Sequence, residues 1–170
     1  MQTCINKEES LLKELCTLCE QYRECQVANV ERLQLPAQIA DVKSKILHMI
    51  VERINDQLKE IRIVMSEYQK LFDRIHESRM RTFKDLPKIS YLIRPNWIYP
   101  TFAVMLEWVD DSEKEVYAQL CLKYEFLDTL NYKDEEIWQK CMTTWIEADT
   151  KILEKFEERL AYLQNFLADT

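Results

Sequence analysis

The sequence contains no glycine and only 4 prolines in 170 residues. At the average usage of about 7%, roughly a dozen glycines would be expected. Tight hairpin turns depend on glycine, as do phosphate-cradling loops and the strained turn that carries a nucleophilic serine. Helices do not need glycine, because a glycine in a helix interior reduces helix stability by about 1 kcal/mol. The composition therefore argues against a sheet-rich fold, a Rossmann unit or a P-loop, and it favours an all-α protein.

Long apolar runs and an excess of positive charge are also missing. No run approaches the roughly 20 apolar residues that a helix needs to span a bilayer, and the N-terminus is too polar for a signal peptide. The net charge of −7 argues against broad coating of nucleic acid. The 6 cysteines are then expected to be reduced thiols. We expect a single domain over residues 1–170, cytoplasmic and nuclear, with no membrane contact, cofactor or small-molecule substrate.

Apolar residues recur at helical spacing along four stretches, which we place at residues 7–33, 39–83, 101–130 and 134–168. In the second stretch, the apolar positions from Leu47 to Ile75 recur at about 3.5 residues, the spacing of a coiled-coil seam. Residues 85–100 hold three of the four prolines and are predicted to be irregular. Short connections after the first and third helices favour antiparallel neighbours. The predicted fold is all-α, an elongated antiparallel four-helix bundle with a long second helix.

The third and fourth helices carry further expectations. Thr101 is the predicted N-cap of the third helix, because its hydroxyl can accept a hydrogen bond from a free backbone N–H. Glu113 is the one charged residue that falls on the apolar stripe of this helix. The residues predicted to face the core are Phe102, Leu106, Val109, Val116, Leu120, Tyr124 and Leu127 in the third helix, and Trp138, Cys141, Trp145, Ile152, Phe156, Leu160, Leu163 and Leu167 in the fourth.

Cys16 and Cys19 form a C-x-x-C pair, with Cys25 close behind. A redox pair of this type is typical of a helix start beside a βαβ unit, whereas this pair falls inside a predicted helix. A zinc site needs about four ligands, so these cysteines would have to recruit others through the fold. Both interpretations stay open beside the simpler one, in which the cysteines pack as small hydrophobic residues. His48 and His76 are expected on solvated helix faces, and no motif predicts a catalytic or metal-binding residue.

Basic residues gather at the end of the second helix and after it. Between residues 74 and 94, six basic side chains stand against two acidic ones on an otherwise acidic chain. This basic patch predicts contact with ribosomal RNA or an acidic partner, or else it is a solvated helix end and loop. Its members are Arg74, Arg79, Arg81, Lys84, Lys88 and Arg94.

Aromatic residues stand outside the helical pattern in the proline-rich segment, where they can anchor an interface or cap one end of the bundle. A long apolar seam that extends past a small core needs a protein partner, which we expect at the second and third helices. The candidate partner-binding residues are Tyr91, Trp97, Tyr99, Pro100 and Trp108.

The segment from Pro100 to Trp108, PTFAVMLEW, resembles the P-S-V-A-x-M-L-E-W segment of the AAA-ATPase-interacting ribosome maturation factor family (AIRIM). Residues 33–36 look like the family's approach to its long second helix. Other positions are similar to the family's Y…LK…YL pattern, its later tryptophan and its aromatic-rich C-terminal end, namely Tyr117, Leu122, Lys123, Phe126, Leu127, Trp145, Phe166 and Leu167. The sister protein CINP, which interacts with a cyclin-dependent kinase, is resembled more weakly, at Trp97, Pro100, Tyr117, Leu122 and Lys123.

The resemblance implies a non-catalytic adaptor rather than an enzyme. It implies a heterodimer with a sister helical subunit resembling CINP, which we expect to form through the second and third helices. The heterodimer would be bound to a AAA-ATPase hexamer that matures cytoplasmic precursors of the large ribosomal subunit. Contact with the pre-ribosomal particle and a role in clearing replication proteins from chromatin are implied as well. From other classes, the alternatives are a cysteine-based metal-binding or redox bundle and a secreted four-helix cytokine.

Overall fold

The computed structural model describes residues 2–28, 41–89 and 101–168, which form four α-helices and no strand. These are α1 (Gln2–Val27), α2 (Val42–Ile89), α3 (Phe102–Thr129) and α4 (Glu135–Ala168). The prediction of an all-α fold with four helices, of which the second is the longest, is therefore confirmed. Within these ranges, no helix has a stretch that is both long and apolar enough to cross a membrane.

Several predicted boundaries differ from the structure. The pattern predicts an irregular segment from residue 85, but α2 continues to Ile89 and includes Pro87. A proline lacks its own N–H donor, and in the last turn of a helix this removes only one backbone hydrogen bond. The remainder of the predicted segment, residues 90–100, lies outside the described residues.

At the other end of the chain, α1 starts at Gln2 rather than residue 7, because Ile5 continues its buried face. The first helix is predicted to run to residue 33, but α1 ends at Val27 and Ala28 is not helical. The second helix begins at Val42 rather than residue 39.

Side chains satisfy backbone groups at helix ends. Thr101 is the N-cap of α3, as predicted, and its hydroxyl accepts a hydrogen bond from the N–H of Val104 at 3.4 Å. At the C-terminal end of α1, Lys43 Nζ donates to the carbonyl oxygens of Gln26 at 2.6 Å and Ala28 at 2.8 Å. A cation at this end also complements the negative end of the helix dipole. Lys43 lies at the start of α2, so this contact fixes where the two helices meet.

Each helix packs against two neighbours, in the order α1, α2, α3, α4 around the bundle. In every neighbouring pair of helices, residues later in one helix contact residues earlier in the other. The two chain directions are therefore opposite where the helices touch. The contacts are Gln26–Lys43 and Leu11–Gln57 between α1 and α2, and Phe72–Tyr117 and Arg79–Asp110 between α2 and α3. They are Phe126–Trp145 and Trp108–Tyr162 between α3 and α4, and Glu8–Trp145 and Arg23–Glu135 between α1 and α4.

The core lies where all four helices run side by side. Most of the predicted core residues are buried or half-buried, with Trp138 and Trp145 the largest of those that are fully buried. Three predictions are wrong, since Val109 is 37% exposed, Tyr124 39% and Leu160 52%. At Tyr124 the inward position is taken by its neighbour Lys123. Val109 and Leu160 lie at the end of the bundle where three of the described helices pack. The side chains of Phe102 and Leu167 lie outside the described part of the chain.

At one end of the bundle, α1 is shorter than its neighbours. Its first residue, Gln2, lines the same cavity as Leu153 and Glu157 of α4, and its Cys4 lies within electrostatic reach of Tyr68 on α2. From Tyr68, α2 continues to Ile89 for about 30 Å, and from Glu157, α4 continues to Ala168 for about 16 Å. The described helices are therefore four at one end and three at the other, which we call the three-helix end.

Candidate partner-binding surface and buried ion network

The structure describes only part of the predicted partner-binding segment. Trp108 lies on α3 at the three-helix end, where it is half-buried. Its ring is 5.7 Å from the ring of Tyr162 on α4, and Tyr162 is itself exposed. Two large aromatic side chains thus stand together at the surface of this end. The other predicted partner-binding residues lie outside the described residues, namely Tyr91, Trp97, Tyr99 and Pro100.

Arg79, a member of the predicted basic patch, lies in an ion cluster between α2 and α3. Its guanidinium pairs with Asp110 and with Glu113. His76 Nδ1 is 2.6 Å from the same Glu113, and Lys114 Nζ is 2.5 Å from Asp110. The hydrogen-bonded ammonium of Lys114, assisted by Arg79, lowers the pKa of the Asp110 carboxyl. The cluster explains why Glu113 can occupy an apolar stripe: its charge is matched by a cation from the facing helix.

The other members of the basic patch differ in their surroundings. Arg81 pairs with Glu77 one turn earlier at 3.2 Å, on the exposed face of α2. Arg74 and Lys84 are exposed, whereas the side chain of Lys88 and all of Arg94 lie outside the described residues. Because Arg79 is engaged within the chain, the described surface offers fewer cations to a nucleic acid than the sequence count suggests.

The C-x-x-C pair lies in the middle of α1. Cys19 is fully buried, and burial raises the pKa of its thiol to about 12. Burial, and then the nearby carboxylate of Glu20, also raise the pKa of Cys16. Redox and metal sites require a thiolate, which neighbouring positive charge favours and burial disfavours. In the described residues, no group of three or more His, Cys, Asp or Glu side chains could hold a metal ion. Cys19 therefore packs as a small hydrophobic residue.

An ion network that spans all four helices lies inside the core. Lys123 of α3 places its Nζ 2.5 Å from Glu8 Oε2 of α1 and 2.7 Å from Asp149 Oδ1 of α4. Trp145 Nε1 donates a hydrogen bond to the same Glu8 oxygen at 3.3 Å. The ammonium lies 4.7 Å from the ring centroid of Tyr68 on α2, a distance typical of a cation–π contact. All five side chains are buried, so the network fixes the relative positions of the helices.

The two carboxylates of this network share one ammonium ion, which leaves a charge of about −1 if all three groups are ionised. Burial raises the pKa of both Glu8 and Asp149, and the attraction of Lys123 offsets only part of that effect. Glu8 Oε1 has no hydrogen-bond partner in the described part of the chain. The folded protein therefore holds protons at these carboxylates more readily than the unfolded chain does.

The sequence indicates this network through charged residues at inward helix positions, which a search for apolar residues misses. Lys123 and Tyr124 both fit the spacing of the inward stripe on α3, and the pattern predicts the aromatic residue as the inward one. The structure shows the opposite arrangement. Glu8 and Asp149 fall on the inward stripes of α1 and α4 in the same way. Charged residues on the inward stripes of three different helices are a pattern that indicates a buried ion network.

Comparison with known proteins identifies the family. A family model described as "Ribosome biogenesis protein C1orf109-like" matches residues 3–166, which include most of all four helices. The chain belongs to this family. The match confirms the resemblance to AIRIM that the Pro100–Trp108 segment indicates. Among curated proteins, no sequence matches this C1orf109-like chain. Membership supports a role in ribosome biogenesis, and a family of biogenesis factors suggests a role that is not catalytic.

Proposed function

We propose that this C1orf109-like protein is a non-catalytic adaptor subunit of a AAA-ATPase complex that acts in cytoplasmic maturation of the large ribosomal subunit. The observation that carries the proposal is the family match over residues 3–166, together with the resemblance of residues 100–108 to AIRIM. A further role in clearing replication proteins from chromatin belongs to the same proposal, so the protein acts in both the cytoplasm and the nucleus.

The described structure is suited to an adaptor. Its most deeply buried ionisable groups, Lys123 and Glu8, hold helices together inside the core instead of lining a cleft. Phosphate-binding loops rely on glycine, which the chain lacks, so ATP hydrolysis is assigned to the partner. The three-helix end presents several large apolar side chains to solvent, of a kind that protein interfaces cover, namely Met80, Phe83, Val109, Leu160 and Tyr162.

The proposed partners are a AAA-ATPase hexamer and a sister helical subunit resembling CINP. The heterodimer with the sister subunit is formed through α2 and α3, with Trp108 and the segment from Tyr91 to Pro100 in contact. Arg74 and Lys84, which remain exposed, are the side chains proposed to touch the pre-ribosomal particle.

Reconstitution from purified components tests this function. The full chain, the sister subunit and the ATPase are mixed and separated by size-exclusion chromatography, and one complex that contains all three is expected. Depletion of the chain from cells should leave a late maturation factor on cytoplasmic precursors of the large subunit. Elution of the chain as an isolated monomer, with no ATPase associated, contradicts the proposal.

A further inference from the structure

A cavity opens at the surface between the middle parts of α3 and α4. Its volume is about 280 Å³, and its walls are mainly aliphatic, with Ala118 and Leu122 on α3 and Ala148 and Ile152 on α4. Leu122 is 37% exposed, whereas Ile152 is buried at the bottom. Pockets for drug-sized ligands have volumes of about 300–1,000 Å³, so this cavity is sized for a single large side chain.

Two polar groups at this cavity have no partner within the described ranges. Gln119 lines the cavity, and its Oε1 atom is buried without a hydrogen bond. A buried acceptor that lacks a donor is unfavourable, and a donor from a ligand would remove this cost. At the rim, Lys151 is exposed and forms no ion pair with any described residue. The cavity therefore favours a group that combines an apolar body, an N–H or O–H donor and a nearby negative charge.

The groove between α3 and α4 continues from the cavity to the aromatic pair at the three-helix end. Next to the cavity, Glu115 pairs with Lys155 at 2.7 Å and with Arg159 at 3.1 Å, so these charges are engaged with one another. Beyond them lie the half-buried ring of Trp108 and the exposed ring of Tyr162. From the cavity to Trp108 is about 15 Å along α3, or about three turns. We call this path, from the cavity to Trp108 and Tyr162, the α3–α4 groove.

The type of segment that fits the α3–α4 groove follows from what lies between its two ends. Because Glu115, Lys155 and Arg159 are already paired, an extended chain would find few partners there for its backbone hydrogen bonds. A helix satisfies its own backbone groups and can reach both ends of the groove with side chains on one face. The groove therefore favours a helix over an extended segment.

We propose that an amphipathic helix of a partner protein lies along the α3–α4 groove. It inserts a tryptophan or tyrosine side chain into the cavity, where the ring N–H or O–H donates to Gln119 Oε1. An acidic residue on the adjacent turn pairs with Lys151, and apolar residues further along the same face cover Trp108 and Tyr162. This inference rests on the proposed function and adds the surface and the chemistry by which the partner is held.

Filling the cavity from within the chain tests the aromatic anchor. The probe is the sister subunit with the ATPase, bound to the immobilised full chain. Ala148→Phe places a ring of this chain where the partner's ring would lie, and we expect it to weaken binding at least about tenfold. Ala161→Phe, at an exposed position of α4 outside the cavity, is the matched control and should change binding less than about twofold. Both variants place the same residue in the same helix, so their effects on helix propensity are alike.

The unpaired acceptor supplies a second variant. Gln119→Leu keeps a side chain of similar size but removes the oxygen, and we expect it to weaken binding about threefold to tenfold. Its melting temperature should not fall, because this oxygen makes no hydrogen bond within the described residues. A lower melting temperature with unchanged binding would show that Gln119 has a structural role only and would contradict the proposed hydrogen bond.

The charge at the rim supplies a third variant. Lys151→Glu is expected to weaken binding about threefold to tenfold at low salt and less at high salt, because charge complementarity at a rim is screened. Lys140→Glu reverses the charge of another exposed lysine of α4, which does not line the cavity, and it should change binding less than about twofold. Equal effects of the two reversals would show that only the net charge of the chain matters.

The outcomes separate this inference from the function on which it rests. If the unmodified chain binds neither protein, the proposed function and the docking surface both fail. If the unmodified chain binds, and Ala148→Phe, Gln119→Leu and Lys151→Glu bind equally well, only the docking surface is wrong. A homodimer in sedimentation that Ala148→Phe dissociates would show that a second copy occupies the groove. A much lower melting temperature in Ala148→Phe than in Ala161→Phe, with binding unchanged, would show that the chain closes the cavity itself. Either of these last two results overturns the proposal.

Discussion

Lys123 of α3 and Glu8 of α1 form an ion pair in which both side chains are completely buried and the charged atoms lie 2.5 Å apart. Such a pair contributes little net stability relative to well-packed apolar residues, but removing one partner leaves an uncompensated charge in the core. The pair also connects the first helix to the third across the bundle centre. We therefore expect its main effect to be on which helix positions can face one another.

Removing the cation of this network should be strongly destabilising. In Lys123→Met, the carboxylates of Glu8 and Asp149 remain buried without their shared ammonium, and we expect the free energy of unfolding to fall by about 3–5 kcal/mol. Urea denaturation followed by circular dichroism measures the change. Lys151→Met, on the exposed face of α4, is the matched control and should stay within about 0.5 kcal/mol of the unmodified protein.

A triple variant distinguishes a buried charge from lost packing. When Glu8→Leu and Asp149→Leu are combined with Lys123→Met, no charge remains in the network, and most of the lost stability should return. Stability equal to that of the single variant would mean that the loss arises from the shape of the lysine side chain and not from its charge.

The same network predicts how stability varies with pH. Burial raises the folded-state pKa values of Glu8 and Asp149 above their ordinary values of 4.5 and 3.8. Between the ordinary and the raised values the folded chain binds more protons than the unfolded chain, so the free energy of unfolding should fall as pH rises through this interval. Glu8→Gln removes one of these groups and should flatten the dependence. Glu24→Gln, on the exposed face of the same helix, should leave it unchanged, and a steeper slope in Glu8→Gln would contradict the assignment.

Because of the ion cluster between α2 and α3, Arg79 and Arg81 should contribute differently to stability. Arg79→Met leaves the largely buried carboxylate of Glu113 with His76 as its remaining neighbour, and we expect a loss of about 1–2 kcal/mol. Arg81→Met removes only an exposed pair and should cost less than about 0.5 kcal/mol. Thermal unfolding of both variants under one set of conditions gives the comparison, and equal losses would show that the ion pairs of Arg79 stabilise the fold no more than the exposed pair of Arg81.

The cysteines should differ in reactivity within one native protein. Cys121 is exposed, whereas Cys19 is buried with a thiol pKa raised to about 12. A thiol reagent at pH 8 should modify Cys121 rapidly and leave Cys19 unmodified until the protein is unfolded. Mass spectrometry of peptides after limited labelling identifies each site. Rapid labelling of Cys19, or zinc bound in stoichiometric amount and lost in Cys19→Ser, would favour the metal-binding or redox alternative.

The number and type of the helices could be predicted because both follow from local spacing and from the lack of glycine. The end of α2 could not be predicted, because a proline in the sequence usually indicates the end of a helix. Pro87 instead lies in the last turn of α2, where a proline is tolerated. The start of α1 could not be predicted from its polar first residues. Ile5 and Glu8 are core residues only because the other helices pack against them.

Partners of charged side chains were the least predictable feature. Glu8 and Lys123 are 115 residues apart in the chain, and Arg79 and Glu113 meet across two helices. Spacing along one helix indicates that such a residue faces inward, but the identity of its partner depends on how the helices are arranged.

The unequal lengths of the helices have a mechanical consequence. From Tyr68 to Asp85, α2 contains neither proline nor glycine, so it extends for about 25 Å without a residue that favours a bend. A pull at its tip is then transmitted as torque to the four-helix part, where the buried Lys123 network resists sliding of one helix past another. Such an element acts as a stiff arm of fixed length, so a force applied at its tip reaches the four-helix part with little of it lost to bending.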